Sequence, residues 1–394
     1  MPMGFIKLKQ WMPCSLLLLA LSLAGSVSAE TLLVQKQTLE IAPFTTINGA
    51  NIEQVRVGYE TYGKLNADKS NAILITHYFS GSSHAAGKYR ADDAQAGYWD
   101  AIIGPGKAID TNRFFVVSVD TLVNLAVHDP NVITTGPASI DPKTGKPYGM
   151  RFPVISVGDF VQTQKALLER FGISKLHAIV GASGGAIQAL QWAATHPGFA
   201  ERTIAVIGPG FKLDAHSIAE LDTWLQPIVL DPNWRQGDYY AHSLPNVGLA
   251  HALRNVTVAA LSSDWLDKQY GRQWHDPHQS PAQTLQHEFK ISSELLKRGF
   301  DRAAVVDANH FLYTARAYQL FDVSDQVPVM KGRFLFIPAK TDRIFPPTMS
   351  HQAAETLRKN CVQAEVFEID GGMGHLDGIF QIQLAAQAIR DFLQ

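Results

Sequence analysis

Residues 176–190 read LHAIVGASGGAIQAL, the most informative segment for predicting the fold. Its first part is a short apolar run typical of a buried strand, and its last part carries Ile187 and Leu190 at helical spacing. Between them, residues 181–185 (GASGG) match G-x-S-x-G, the tight strand-to-helix turn that raises a serine hydroxyl above a sheet. We predict that Ser183 is a nucleophile; an incidental serine in a glycine-rich turn is the alternative.

Similar apolar runs recur on both sides of this stretch and alternate with helical patterns. Phe160, Leu167 and Phe171 fall at helical spacing, and Gly172 follows as a helix C-cap. Runs that are continuously apolar indicate strands buried on both faces, as in a parallel sheet. The pattern predicts an α/β doubly wound domain. Its predicted strands are residues 71–76 (NAILIT), 113–119 (RFFVVSV), 176–180 (LHAIV), 203–207 (TIAVI), 333–337 (RFLFI) and 364–369 (AEVFEI).

Strand signals fade between residues 209 and 325, where tryptophan, histidine and amphipathic helical patterns take over. We predict a helical lid, residues 209–325, inserted between the two parts of the core, residues 30–208 and 326–394. Trp224, Trp234 and Trp265 in this segment indicate an apolar portion of the substrate, although core packing explains lone tryptophans equally well.

The first 29 residues have the pattern of a secretory signal peptide. Lys7 and Lys9 precede an apolar run (SLLLLALSLA, residues 15–24), and small residues (VSA) stand at 27–29. We expect the mature chain to begin at Glu30 and to be secreted or periplasmic, with an uncleaved anchor as the alternative. It would then keep Cys361 alone, which excludes an intramolecular disulfide.

Charge and motif content exclude several classes of partner. The chain has 394 residues with 34 Lys+Arg against 36 Asp+Glu, a formal net charge of -2, so no basic field is available to attract nucleic acid. The dinucleotide-binding motif G-x-G-x-x-G does not follow a predicted strand to open a helix, and the P-loop motif G-x-x-x-x-G-K-[ST] does not occur. We therefore expect no cofactor. His275-Asp276-Pro277-His278 lacks a further clustered ligand, so a solvated turn is favoured over a metal site. The expected partner is a small-molecule ester or acyl compound.

A serine hydroxyl needs a neighbouring base that is oriented by a third group. Asp342 follows the predicted strand 333–337, and His375 stands in a glycine-rich loop after the next strand. Both are therefore expected at the sheet edge where Ser183 lies. Asp370 and Asp377 are the competing candidates for the acid.

The oxyanion of an acyl-transfer reaction needs preorganised N–H donors. The backbone N–H of Gly184, directly after the nucleophile, is one expected donor. The second is expected from the loop after the strand 71–76, residues 77–81 (HYFSG), and we choose Phe79.

At this point the sequence resembles the homoserine O-acetyltransferase family of α/β-hydrolase-fold enzymes. The resemblance implies a mostly parallel central sheet flanked by helices, a helical lid, a Ser183, Asp342, His375 triad, an acyl-serine intermediate and a homodimer. The segments that carry it are YWD (98–100), IGPGK (103–107), TGPASI (135–140), GKPYG (145–149), the elbow with QALQW (188–192), DPNW (231–234), DAN (307–309) with LY (312–313), TD (341–342) with FP (345–346) and GH (374–375).

The departures from the family pattern concern the acyl acceptor. Leu225 stands where the pattern has an arginine before the lid segment, and the Gly-His-Asp ending reads GHLD at 374–377. A T-Y-R-S-like segment reads AALSS at 259–263, and a glycine-rich stretch is replaced by NLAVH at 124–128. An exported protein would also rarely meet acetyl-CoA. We therefore expect an exported serine hydrolase of the esterase type, with acyl transfer from acyl-CoA to a hydroxyl acceptor as the alternative and a non-catalytic binding module as a third.

Overall fold

An eight-stranded sheet forms the centre of the computed structural model, which describes residues 32–394. The predicted signal peptide and Glu30 lie outside the described residues. The strands lie side by side in the order β1-β2-β4-β3-β5-β6-β7-β8. In chain order they are β1 (Gln37–Ile41), β2 (Val55–Tyr62), β3 (Ala72–Thr76), β4 (Phe115–Val119), β5 (Ala178–Ala182), β6 (Arg202–Val206), β7 (Arg333–Ile337) and β8 (Gln363–Val366).

Strands β3 to β8 pair in parallel, and β2 joins β4 and β1 in antiparallel pairs. Every residue of β3, β4 and β5 is buried, as the continuously apolar runs predict. The predicted α/β fold with a mostly parallel sheet is confirmed, and all six predicted strands are present. The two antiparallel strands at one edge, β1 and β2, were not predicted.

Helices cover both faces of the sheet, and two buried apolar clusters lie on its two sides. The predicted helix over 160–171 is α1, which begins with a capping box between Ser156 and Asp159 and is followed by Gly172 at φ 66°. No helix among residues 32–394 combines the length and apolar character needed to cross a membrane. The helices are α1 (Val157–Arg170), α2 (Gly184–Thr195), α3 (Ala215–Leu230), α4 (Asn246–Ala260), α5 (Ser263–Tyr270), α6 (Lys290–Ala303), α7 (Ala308–Gln319), α8 (Pro347–Lys359), α9 (Asp377–Phe380) and α10 (Ala386–Phe392).

Five of these helices, α3 to α7, lie between β6 and β7, within the segment predicted as a lid. Helix α4 packs against both α3 and α6, and α7 packs against α3. Gly299 on α6 allows the close approach to α4, because a Cβ there would overlap the carbonyl of Ala250. That these helices act as a lid, with the boundaries 209–325, stays a prediction.

Candidate active site

The turn between β5 and α2 is sharp and strained. Ser183 has φ 55° and ψ -115°, a conformation that side-chain-bearing residues rarely adopt, and its N–H donates to the carbonyl of Val206 at 2.8 Å. A Cβ on Gly181 or on Gly185 would overlap backbone or side-chain oxygen atoms, so both flanking positions require glycine. The local sequence therefore fixes the serine hydroxyl above the carboxyl end of β5.

Three of the predicted site residues lie in one hydrogen-bonded line. His375 Nε2 is 2.8 Å from Ser183 Oγ, and His375 Nδ1 is 2.7 Å from Asp342 Oδ2. All three residues are buried. Asp342 follows β7 and His375 follows β8, so the parallel sheet brings both loops to the edge that carries Ser183.

The two competing acids are engaged elsewhere. Asp370 is exposed and pairs with Lys340 at 2.9 Å. Asp377 accepts from the backbone N–H groups of Gly371 and Met373 at 3.0 and 2.9 Å, which shapes the loop before His375, and burial raises the pKa of Asp377. Asp342 is therefore the carboxylate that the fold brings to the imidazole.

The second oxygen of Asp342 is also held. Its Oδ1 accepts from the N–H groups of Ile344 at 2.9 Å and Phe345 at 3.1 Å. These two bonds fix the carboxylate plane, so Oδ2 faces His375. A carboxylate held in this way selects the tautomer that carries its proton on Nδ1 and leaves Nε2 free to accept one.

The two N–H groups expected as oxyanion donors lie at the same cavity. Neither Phe79 N–H nor Gly184 N–H donates to an acceptor within residues 32–394, and both residues line the cavity together with Ser183. Gly184 is the first residue of α2, where helix N–H groups lack intrahelical partners and the helix dipole favours negative charge. The pair can therefore receive a developing oxyanion.

The helices of the insertion hold the residues that carry these donors. The Phe79 ring packs against Trp224 of α3 and against Phe311 and Tyr318 of α7, with centroid distances of 6.0, 5.1 and 6.0 Å. The Tyr318 hydroxyl occupies the space that a side chain on Gly184 would take. The absence of a side chain at position 184 is thus compensated by a tyrosine from the insertion.

The cavity above Ser183 has a volume of about 360 Å³. Most of its lining is apolar, which includes Leu376 beside the histidine. Three charged side chains also line it, and the sequence analysis missed all three: Glu220, Arg298 and Arg302. The two arginines stand four residues apart in the sequence, and this spacing was the available signal, because it places them on the same face of a helix.

Residues 275–278, considered above as a possible metal site, form surface contacts instead. His275 Nδ1 lies 2.7 Å from the Ser293 hydroxyl, and Asp276 accepts from the N–H of His278 at 2.9 Å. No cluster of three His, Cys, Asp or Glu side chains suited to a metal ion is found in the part of the chain that the structure describes.

Known proteins resemble this chain over most of its length. The profile of the alpha/beta hydrolase fold matches residues 135–379. A homoserine O-acetyltransferase of Methanohalophilus mahii is 36% identical over 339 residues, which are 84% of this chain and 67% of that protein. The chain belongs to the homoserine O-acetyltransferase family. The resemblance, the α/β-hydrolase fold and the prediction of an enzyme are confirmed, and the binding-module alternative is wrong.

Solved structures similar to this chain include proteins described by two activities. Homoserine O-acetyltransferase from Bacillus anthracis is 38% identical with a TM-score of 0.88, covering 92% of this chain and 98% of that one. Esterase E22 is 47% identical with a TM-score of 0.88, covering 92% of this chain and all of that one, 100%.

The predicted secreted or periplasmic location is wrong for a member of this family, because homoserine O-acetyltransferases are cytoplasmic biosynthetic enzymes. The argument that the protein rarely meets acetyl-CoA depended on export, so it no longer counts against acyl transfer.

Proposed function

We propose that this enzyme is an acyltransferase that forms an acyl ester on Ser183 and passes the acyl group from an acyl-CoA donor to the hydroxyl of a small acceptor. The observation that carries the proposal is the line of Ser183, His375 and Asp342 beside two N–H groups that have no described acceptor. The names of the Methanohalophilus mahii and Bacillus anthracis relatives support acetyl transfer over hydrolysis. Hydrolysis, which the sequence analysis placed first, becomes the second candidate.

In the first half-reaction, Ser183 Oγ attacks the thioester carbonyl of the donor. His375 Nε2 takes the serine proton, and Asp342 stabilises the imidazolium through Nδ1. The N–H groups of Phe79 and Gly184 bind the oxyanion of the tetrahedral intermediate. The intermediate expels the CoA thiolate, which receives the proton from His375, and the acyl group remains on Ser183.

In the second half-reaction, the acceptor hydroxyl occupies the place that the thiol has left. His375 Nε2 removes its proton while the acceptor oxygen attacks the acyl-serine carbonyl, and the same two N–H groups bind the oxyanion again. Collapse of this intermediate breaks the bond to Ser183 Oγ, which takes back the proton. The apolar lining of the cavity excludes water and so favours the acceptor over hydrolysis.

Hydrolysis follows the same steps with water as the acceptor. One observation favours it as the second candidate. Esterase E22 has a higher sequence identity, 47%, than the acetyltransferases compared above.

The test separates acyl-serine formation from the choice of acceptor. Acetyl-CoA is added to the protein, the reaction is quenched, and the peptide that contains Ser183 is examined by mass spectrometry for an acetyl adduct. Ser183→Ala is expected to lose the adduct and to lower turnover by about 10⁴-fold or more. Ser293→Ala is the matched control, because that hydroxyl contacts His275 outside the cavity.

The acceptor is then identified from how the acyl group on Ser183 is divided between an added hydroxyl compound and water. Release of free CoA is compared with formation of acylated product for homoserine, other small hydroxyl compounds and water alone. Product that rises with acceptor concentration supports the transferase, whereas acetate release at the same rate with every acceptor identifies a hydrolase. Absence of any adduct on Ser183 with thioesters and with activated esters would refute both.

A further inference from the structure

The cavity above Ser183 has a charged part that neither half-reaction uses. Arg298 and Arg302 reach it from α6, and Glu220 reaches it from α3. Arg302 is partly buried, whereas Arg298 is exposed and lies toward solvent.

Arg302 contacts only uncharged partners. One of its terminal nitrogens donates to the Ser80 hydroxyl at 3.1 Å, and the other donates to the Thr257 hydroxyl at 3.3 Å. A guanidinium carries five N–H donors, so further donors remain for a ligand. Burial lowers the pKa of Arg302, because desolvation disfavours the charged guanidinium.

Four arginines among residues 32–394 pair with carboxylates, and they are Arg56, Arg90, Arg202 and Arg333. Neither Arg298 nor Arg302 makes such a pair in that part of the chain. A desolvated cation without a counter-ion is unfavourable unless a ligand provides one, and the planar guanidinium fits a carboxylate with two parallel hydrogen bonds.

The location of Arg302 limits the size of that ligand. Its partner Ser80 directly follows Phe79, the proposed oxyanion donor, so an anion at Arg302 lies close to the reacting carbonyl. A cavity of about 360 Å³ accommodates a short acid but not the nucleotide portion of CoA. Glu220 in the same cavity disfavours a ligand that carries several negative charges.

We propose that Arg302 is a specificity-determining residue that binds the carboxylate of a short hydroxy-acid acceptor, or of the ester formed from it. The role of Arg302 in turnover rests on the proposed function.

The test compares matched esters that differ only in charge. Values of kcat/KM are measured for γ-acetoxybutyrate against γ-acetoxybutyramide, where the charge lies on the alcohol portion, and for monoethyl succinate against ethyl succinamate, where it lies on the acyl portion. We expect wild type to prefer γ-acetoxybutyrate by about tenfold or more. Arg302→Met is expected to reduce this ratio to about one, and Arg302→Lys to an intermediate value.

Lys297→Met is the matched control, because it removes a positive charge from the exposed face of the same helix, where Lys297 pairs with Asp301. It is expected to keep the wild-type ratio. If Arg302 merely holds Ser80, Arg302→Met lowers both rates equally, and the unchanged ratio would overturn the proposal. A preference confined to the succinate pair would overturn the assignment to the acceptor.

A binding titration distinguishes failure of this site from failure of the proposed function. Valerate and valeramide, which cannot react, are titrated calorimetrically into wild type and Arg302→Met. Tighter binding of valerate that is lost in the variant supports the carboxylate site even when no acyl transfer is detected. Equal binding of the acid and the amide to wild type overturns it.

Discussion

Asp342→Asn is expected to remove most of the activity while it leaves the fold intact. In the wild type, Asp342 Oδ1 accepts from two backbone N–H groups, those of Ile344 and Phe345, while Oδ2 faces His375 Nδ1 at 2.7 Å. The asparagine must keep its single carbonyl oxygen toward the two backbone donors. Its NH₂ group then faces Nδ1, which can no longer be a donor.

The imidazole is thereby forced into the other tautomer, with its proton on Nε2. That nitrogen lies 2.8 Å from Ser183 Oγ and can no longer take the serine proton. We expect kcat to fall by about 10⁴-fold, which is about 5 kcal/mol of activation free energy. Because both backbone bonds survive, the free energy of unfolding is expected to change by only about 1 kcal/mol.

The assay is steady-state turnover of p-nitrophenyl acetate or of acetyl-CoA with an acceptor, together with urea unfolding of the same preparations. Asp370→Asn is the control, because it removes an exposed carboxylate that pairs with Lys340 away from the imidazole. A folded Asp342→Asn protein with kcat within about tenfold of wild type would refute the tautomer argument.

Three further changes test the surroundings of the serine. Gly184→Ala is expected to lower kcat/KM by about tenfold or more, because the new methyl overlaps the hydroxyl and the Cζ atom of Tyr318; adding Tyr318→Leu, which removes both atoms, should restore part of the loss, and a double variant no better than the single one contradicts this. Ser183→Gly is expected to be more stable than Ser183→Ala by about 1 kcal/mol, since φ 55° suits glycine; equal thermal midpoints would disprove the strain. Burial raises the pKa of the Glu220 carboxyl above its ordinary value, so the folded state binds this proton more tightly than the unfolded state does. The ionised carboxylate therefore destabilises the fold at pH values above the raised pKa, and this destabilisation is lost as the pH falls through it. Glu220→Gln is therefore expected to stabilise the protein at neutral pH, with a gain that shrinks as the pH falls through the raised pKa; a gain independent of pH in urea unfolding rules this out.

The sequence predicted the parallel part of the sheet because strands buried on both faces are continuously apolar. Strand β2 was missed because its sequence, VRVGYETY, is not continuously apolar, although all of its residues except Arg56 and Thr61 are buried. The meeting of the site loops could be predicted from the sheet topology, because the carboxyl ends of parallel strands lie at one edge of the sheet.

The charged part of the cavity could not be predicted in the same way. Which face of α6 carries Arg302 into the cavity depends on how that helix packs on α4, and this packing depends on the close approach of Gly299 to Ala250. Such contacts join residues far apart in sequence. No local pattern encodes them.

The packing of Phe79 also determines when catalytic activity appears during folding. Its N–H is placed by a ring that is held between α3 and α7, and those helices follow the elbow serine in the chain. An intermediate that has assembled the sheet but not docked the insertion would contain the nucleophile without a complete oxyanion hole. Catalysis would then be acquired at the last step of maturation, and regained turnover during refolding would time the docking of these helices.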